Sequence, residues 1–346
     1  MEKKKNSALK GIAIIIAIPL VLLASLTYLF FFKVNVQTDD SCYLYIHTED
    51  TYDDILEKLE ETGTLNSRTT FEFAASLLDY PDHIKGGRYE LTNGMSNLQL
   101  LRRLRNGQQA PIQVTFSNIR TEQVLAEKIT EDLEMSADEL LSFLHKQETL
   151  QLYGKTDENI ITLFRPNTYE FYWNISPEKL VEKMNKEYDK FWNGNRERQL
   201  SDINLSKEEV MTLASIVEEE TAKKDEKPMV AGLYLNRLEI GMKLQADPTI
   251  KFALQDFSLR RIYSYHIEQS ADSPYNTYRH AGLPPGPIRI PSDNGIDAVL
   301  YHVHHNYIYM CAKEDFSGYH NFAESYSEHL DNAAKYRKAL DERNIQ

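Results

Sequence analysis

Three observations predict an α+β fold carried on a single N-terminal transmembrane helix. Gly11 to Phe32 is a 22-residue run with no charged residue, long enough to cross a bilayer as a helix. Between Cys42 and Phe116, short alternating segments are interleaved with amphipathic ones, the pattern of a small α+β module. From Thr121 onward the periodicity is mainly helical, and one helix there ends in the acidic triplet Glu218-Glu219-Glu220. That places a candidate acid on a helix within a mixed α/β domain.

The elements follow in chain order. Lys3, Lys4, Lys5 and Lys10 precede the apolar run, so residues 1–10 read as a cytoplasmic tail and 11–32 as the membrane span. Tyr28, Phe30, Phe31 and Phe32 suit an interfacial belt at its outer end. The run is longer than the apolar core of a signal peptide and no clear A-x-A site follows it, which favours an anchor over the alternative of a cleaved leader. Cys42 to His47 alternates as a strand, Thr51 to Thr62 and Ser67 to Leu78 read as helices, and Arg88 to Leu91 as a second strand after Gly86-Gly87. Ser96 to Arg105 is amphipathic, and Ile112 to Phe116 is a strand leading into a helix from Thr121. Helical patterning continues to Lys190, broken by Arg165 to Tyr172. The expected divisions are therefore a membrane-proximal module over 37–118 and a larger domain over 119–346.

Composition excludes some classes. Beyond Lys33 there are 34 basic and 51 acidic residues, a net charge of −17, with no basic stripe, so no nucleic-acid partner is expected. Cys42 and Cys311 come from distant parts of the chain, and sequence leaves open whether they pair or stay as small buried hydrophobes. Ser176-Pro177-Glu178-Lys179 and Ser292-Asp293-Asn294 imitate the S-x-x-K and S-D-N signatures of penicillin-binding enzymes, but no K-T-G follows. Ser176 is better explained as an N-cap with proline at the first helical position. Gly154-Lys155-Thr156 lacks the earlier glycine of a phosphate loop. His302, His304 and His305 have neither an H-E-x-x-H pattern nor a cysteine cluster beside them, so neither a metal nor a cofactor is expected.

The acidic triplet carries the chemistry. Ser206 and Glu209 fit a capping box, which starts a helix there. At roughly 100° per residue, Val210, Leu213, Ala214, Ile216 and Val217 define its apolar face. Glu220 then lies roughly 50° from the face centre, Glu218 roughly 110° and Glu219 roughly 150°. Glu220 is expected to point inward, where an apolar setting raises a carboxyl's pKa towards that of a general acid. Glu219 is expected on the solvated side. The bland alternative is that all three are ordinary solvated charges at a helix end. Further along, the tyrosines and amides around Tyr275 to Tyr278 offer flat apolar faces and polar edges suited to a sugar ring. Asn236, Gln245, Asp247, Tyr275 and Asn276 are the candidate substrate-binding residues, with Leu283-Pro284-Pro285-Gly286-Pro287 as a stiff wall.

Five ordered segments resemble the YceG-like endolytic murein transglycosylases. They are Ala214 to Thr221, Tyr234 to Leu238, Gly241 to Thr249, Tyr275 to Tyr278 and Gly282 to Ile288, and the similarity runs from about Val36 to the C-terminus. The resemblance implies a YceG-like catalytic domain over 119–346, with Glu220, the glutamate before the threonine, as catalytic acid. It also implies that the strand–helix–helix–strand order within 37–118 is a LysM-like module. Arg165-Pro166-Asn167-Thr168-Tyr169 resembles the family's Phe-Pro-Asp-Thr-Tyr, with Arg165 and Asn167 as departures. The implied activity is cleavage of the bond between N-acetylmuramic acid and N-acetylglucosamine within peptidoglycan glycan strands, leaving 1,6-anhydro ends. The implied setting is the cytoplasmic membrane with the bulk outside it, beside cell-wall synthases. A hydrolytic muramidase and a non-catalytic peptidoglycan-binding anchor are the alternatives.

Overall fold

The structure, a computed structural model, describes residues 2–40 and 42–343. It begins with α1 (Glu2–Thr27), continued by a wider π-helical turn over Tyr28–Phe32 that is closed by the Lys33 N–H on the Tyr28 carbonyl at 2.8 Å. Ala13–Phe32 has a mean hydropathy of 2.6 and is long and apolar enough to cross a membrane. Ser25 and Thr27 donate their hydroxyls to the carbonyls of Val21 and Leu23, each at 2.8 Å, which hides two polar groups of the span.

The chain divides into two compact units, one of residues 1–113, 132–135 and 170–175, the other of 114–131, 136–169 and 176–346. In the first, β1 (Cys42–Ile46) leads to α2 (Tyr52–Glu61), α3 (Arg68–Leu77), β2 (Gly87–Leu91) and α4 (Asn97–Asn106). Thr51, Ser67 and Ser96 cap the three helices, Thr51 and Ser96 as full capping boxes, so the turn chemistry legible in sequence sets the boundaries. The strands pair antiparallel from Cys42↔Leu91 to Ile46↔Gly87. That register turns Leu44, Ile46, Tyr89 and Leu91 onto Ile55, Leu59, Phe71, Leu100 and Leu104, the core of the unit. Asn35 and Asn97 form a buried polar pin beneath it. Asn35 donates to Asn97 Oδ1 at 2.6 Å and to the Ser67 carbonyl at 2.9 Å, and Asn97 donates to the Phe30 carbonyl at 2.8 Å. The end of the apolar helix is thereby fixed to the module.

The remaining elements in order are β3 (Ile112–Phe116), α5 (Glu122–Thr130), α6 (Ala137–Leu144), α7 (Gln147–Tyr153), β4 (Asn167–Phe171), α8 (Pro177–Phe191) and α9 (Asn195–Ile203). Then come α10 (Lys207–Glu220), α11 (Lys227–Glu239), α12 (Asp247–Ala253), α13 (Ser264–Gln269), α14 (Asp293–Leu300), β5 (Tyr309–Ala312), β6 (His320–Ala323) and α15 (Tyr326–Glu342). Strand β3 pairs with β4, and β5 with β6 antiparallel. The break expected at Arg165 to Tyr172 is β4. There Arg165 lies 3.8 Å from the Phe191 ring centroid and pairs with Asp293 at 2.7 Å, which gives the departure from the family's phenylalanine a structural use.

Helix α10 is the centre of the second unit. All eight residues from Val210 to Val217 are buried, Thr212 and Ser215 included. A helix covered on every side has no solvated face. Ser215 earns its buried position by donating to the Thr212 carbonyl at 2.7 Å and accepting the Ile288 N–H at 3.0 Å, which ties the proline-rich segment to α10.

Candidate active site

The site is built at the C-terminal end of α10, whose start is set by the Ser206–Glu209 capping box expected from sequence. Three carboxylates follow the buried run, and the structure treats each differently. Glu218 accepts the Ser292 N–H and hydroxyl, each at 2.7 Å, and the Lys227 ammonium at 3.1 Å. Burial by itself would raise its pKa, but these donors outweigh it and hold the carboxyl below the ordinary range. Space for this arrangement depends on Gly295, where a Cβ would stand 3.1 Å from Glu218 Oε2.

Glu219 corrects the sequence expectation. Its side chain is only 17% exposed and pairs with Arg289 at 2.7 Å and Arg120 at 3.0 Å, so it does not face solvent. The helical wheel assumed a wet face, and α10 has none.

Among the described residues, Glu220 pairs with neither a lysine nor an arginine, and its one side-chain hydrogen bond comes from the Tyr234 hydroxyl at 2.7 Å. It keeps part of its surface accessible, but the protein packed around it removes enough hydration to raise its pKa to about 7. The Tyr234 hydrogen bond opposes that rise, the negative charge of Asp247 adds to it, and His320 and Arg237 oppose it weakly. Tyr234 is itself buried in α11, and Arg237, one turn on, donates to the carbonyls of Ile308 at 2.7 Å and Leu244. Asp247 opens α12 and accepts the Tyr278 hydroxyl at 2.5 Å; burial raises its pKa as well. Thr221, immediately after Glu220, donates to Glu226 at 2.8 Å, and Glu226 also accepts from the His320 backbone at 2.6 Å. That buried acid locks the end of α10 to β6.

The other expected site residues divide. Gln245 is exposed on a left-handed backbone (φ 50°), and its side chain has no hydrogen bond among the described residues, so it remains available to a ligand. Tyr275 packs 4.6 Å from Phe252, centroid to centroid, and lines a cavity of about 280 Å³ with Arg120, Glu122, Phe252 and Pro287. Gly286 makes the wall behind it, where a Cβ would come 1.9 Å from the Glu158 carbonyl. Asn276 is fully buried, and its amide donates to Ile267 and Ser270 and accepts from the Tyr278 and Arg279 N–H groups. It holds the turn, and its amide is committed there. Asn236 is half-buried and gives its amide to the carbonyls of His305 (2.7 Å) and Tyr307 (3.0 Å), so its donors are committed to the C-terminal loop.

Sequence reasoning missed Tyr234, Glu226, Arg237, Arg289 and His320 as neighbours of the triplet. Tyr234, in Tyr234-Leu235-Asn236-Arg237, stood inside a quoted segment, but only the fold reveals that its hydroxyl meets Glu220. The imitation motifs resolve simply. Ser292 caps α14 and Ser176 caps α8. Lys155 is a buried partner of Glu208 and Tyr188. His302 and His304 pack edge to face at 4.6 Å in a segment without strand structure, and both cysteines are free.

Glu220 makes stability depend on pH. Its pKa rises from 4.5 unfolded to about 7 folded, so the native state binds this proton more tightly. That contribution is complete below pH 4.5 and is lost as pH rises through about 7. Glu220→Gln removes the titration, so its melting temperature relative to the unsubstituted chain should be higher at pH 8 than at pH 5 by thermal denaturation. An equal difference at both pH values would show that Glu220 titrates like an exposed carboxyl. Glu219→Gln strands two arginines and should lower the melting temperature at both.

A profile of the YceG-like family matches residues 44–335. A relative named endolytic murein transglycosylase from Streptococcus pneumoniae serotype 2 is 28% identical over 308 residues, covering 80% of this chain and 55% of the relative. One of the same name from Bacillus subtilis is 25% identical over 302 residues, covering 82% of each. The chain thus spans about half the length of the pneumococcal relative. A crystal structure of a yceG-like protein from Listeria monocytogenes superposes with a TM-score of 0.56 at 25% identity, covering 85% of this chain and 99% of that one. With most of its length matched by the family profile, the chain belongs to the YceG-like family.

Proposed function

We propose that this protein is a membrane-anchored endolytic transglycosylase that cuts peptidoglycan glycan strands, with Glu220 as its acid and base. The observation that carries the reading is the pKa of Glu220, raised by burial to about 7, which keeps much of it protonated at neutral pH. The names of the curated relatives support the substrate class. In the proposed reaction, Glu220 gives its proton to the glycosidic oxygen as the bond from C1 of N-acetylmuramic acid to N-acetylglucosamine breaks. The ionised carboxylate then takes the proton from the muramoyl 6-hydroxyl as that oxygen bonds to C1. The product is a 1,6-anhydro end, no water is consumed, and Glu220 finishes protonated as it began. A single carboxyl can suffice because no water needs activation by a second one. Gln245 and Tyr275 are the side chains left open to the glycan, and Asp247 acts by keeping Glu220 protonated.

In this reading residues 37–118 form a LysM-like module that positions the enzyme, and the partners are glycan strands and, beside them, cell-wall synthases. The four lysines before the span support a cytoplasmic N-terminus with everything from Val34 onward outside. Protease added to spheroplasts should then digest the bulk of the chain while the membrane is intact; full protection would reverse the orientation.

Digestion of purified sacculi tests the chemistry. Glu220→Gln should lower the release of anhydromuramoyl products by on the order of 10²–10⁴-fold while the fold survives by circular dichroism. Products heavier by one water from the unsubstituted chain would instead establish a hydrolytic muramidase, and no products at all a binding anchor.

Tyr234→Phe separates proton control from architecture. Loss of its hydroxyl removes a donor that stabilises the Glu220 carboxylate, so the Glu220 pKa rises further. The alkaline limb of the kcat/KM profile should move to higher pH. A limb unmoved by the substitution would detach it from Glu220.

A further inference from the structure

A second cavity lies in the first unit, far along the chain from the acidic triplet. Its volume is about 460 Å³, and its polar lining comes from Asn93, Gln99, Arg102, Arg103, Asn106 and Gln108, with no carboxylate. The hydrogen-bonding state of these groups decides what fits. Gln99 Oε1 already accepts the Ser96 N–H at 2.9 Å, and Asn93 Oδ1 accepts the Thr38 N–H at 3.4 Å. Both amides are left with their NH₂ groups as donors. Arg103 is held by the Glu90 carbonyl and by Thr92 Oγ1 at 3.4 Å. Arg102 is exposed and has no ion pair or hydrogen bond among the described residues, in a chain that is strongly acidic outside the anchor. A lining of guanidinium and amide donors suits a ligand made of acceptors. A sugar would want an aromatic face as well, and this lining offers no ring.

The position of the cavity names the source of that ligand. Met95, in its wall, accepts the N–H groups of Asn35 and Val36 at 2.9 Å each, and Gly94, beside it, donates to the Val36 carbonyl at 3.0 Å. These partners follow the apolar span, which ends at Phe32, by three and four residues. An extended chain advances at most about 3.6 Å per residue, so Met95 lies within roughly 14 Å of the end of the span. An arginine side chain adds a reach of several ångströms, enough to bridge a gap of that order to a head-group layer.

We propose that this cavity binds the phosphate head group of an anionic phospholipid and so fixes the module against the membrane surface. The proposal rests on the reading of α1 as a membrane anchor, and the test separates the two, because a chain lacking an anchor would not enter a bilayer at all. The full chain would be incorporated into nanodiscs of mixed phosphatidylglycerol and phosphatidylcholine, and the lipids it retains counted by native mass spectrometry. The unsubstituted chain should retain phosphatidylglycerol above its proportion in the disc. Arg102→Glu should reduce that enrichment roughly fivefold or more, by the usual strength of one basic group near an anionic surface. Arg105→Glu makes the same charge change on α4 outside the cavity lining and should leave the enrichment intact. Enrichment that survives Arg102→Glu, or that both substitutions abolish equally, would overturn the site in favour of a diffuse field or none. Glycerol 1-phosphate titrated into the detergent-solubilised chain distinguishes a lipid from a free phosphate ester. Binding of the free ester as tight as that of the lipid would overturn the lipid assignment.

Discussion

The C-terminal end of a helix carries the negative end of its macrodipole, and α10 places three carboxylates there. The fold meets this cost unequally. Glu218 receives Lys227 and two donors from Ser292, and Glu219 receives Arg120 and Arg289. Glu220 receives a neutral phenol. A cation of its own would favour the ionised form of Glu220 as well. Withholding a cation from one of them leaves a carboxyl that both the dipole and burial push toward holding its proton, and its basicity is set by what the surrounding elements omit.

The neighbouring pairs therefore belong to the same device. Arg289 follows the proline-rich segment, Ser292 caps α14, and Lys227 begins α11. Each brings a different part of the second unit onto α10 while neutralising a charge. Glu226 does the equivalent from the other side, joining Thr221 to His320. The groups that tune the electrostatics of the site are also the ones that close the fold around it.

Much of this was legible in the sequence where the physics is local. Ser176 and Ser206, read as caps, and Thr51, Ser67 and Ser96, read as the starts of helical segments, all cap helices in the structure. The apolar span and the strand pattern around Cys42 and Arg88 were equally plain. The wheel singled out Glu220 and misplaced Glu219, because a wheel supposes one buried face and α10 is covered on all sides. The amides of Asn236 and Asn276 looked suited to a sugar, but composition does not tell whether an amide is already spent on a backbone carbonyl. Glu226 lies in the charged run Lys223 to Lys227, and its partners in β6, about a hundred residues later, come only with the fold.

Helix α11 carries a consequence of its own. Tyr234, Asn236 and Arg237 reach in turn the acid on α10, the loop at His305 to Tyr307, and the carbonyls of Leu244 and Ile308. Adding one residue to a helix rotates everything beyond it by about 100°. An insertion between Tyr234 and Arg237 would thus aim at least one of these groups away from its partner even if every side chain were retained. The length of this turn is thus as constrained as its residues, and insertions in descendants of this chain should accumulate in its exposed loops.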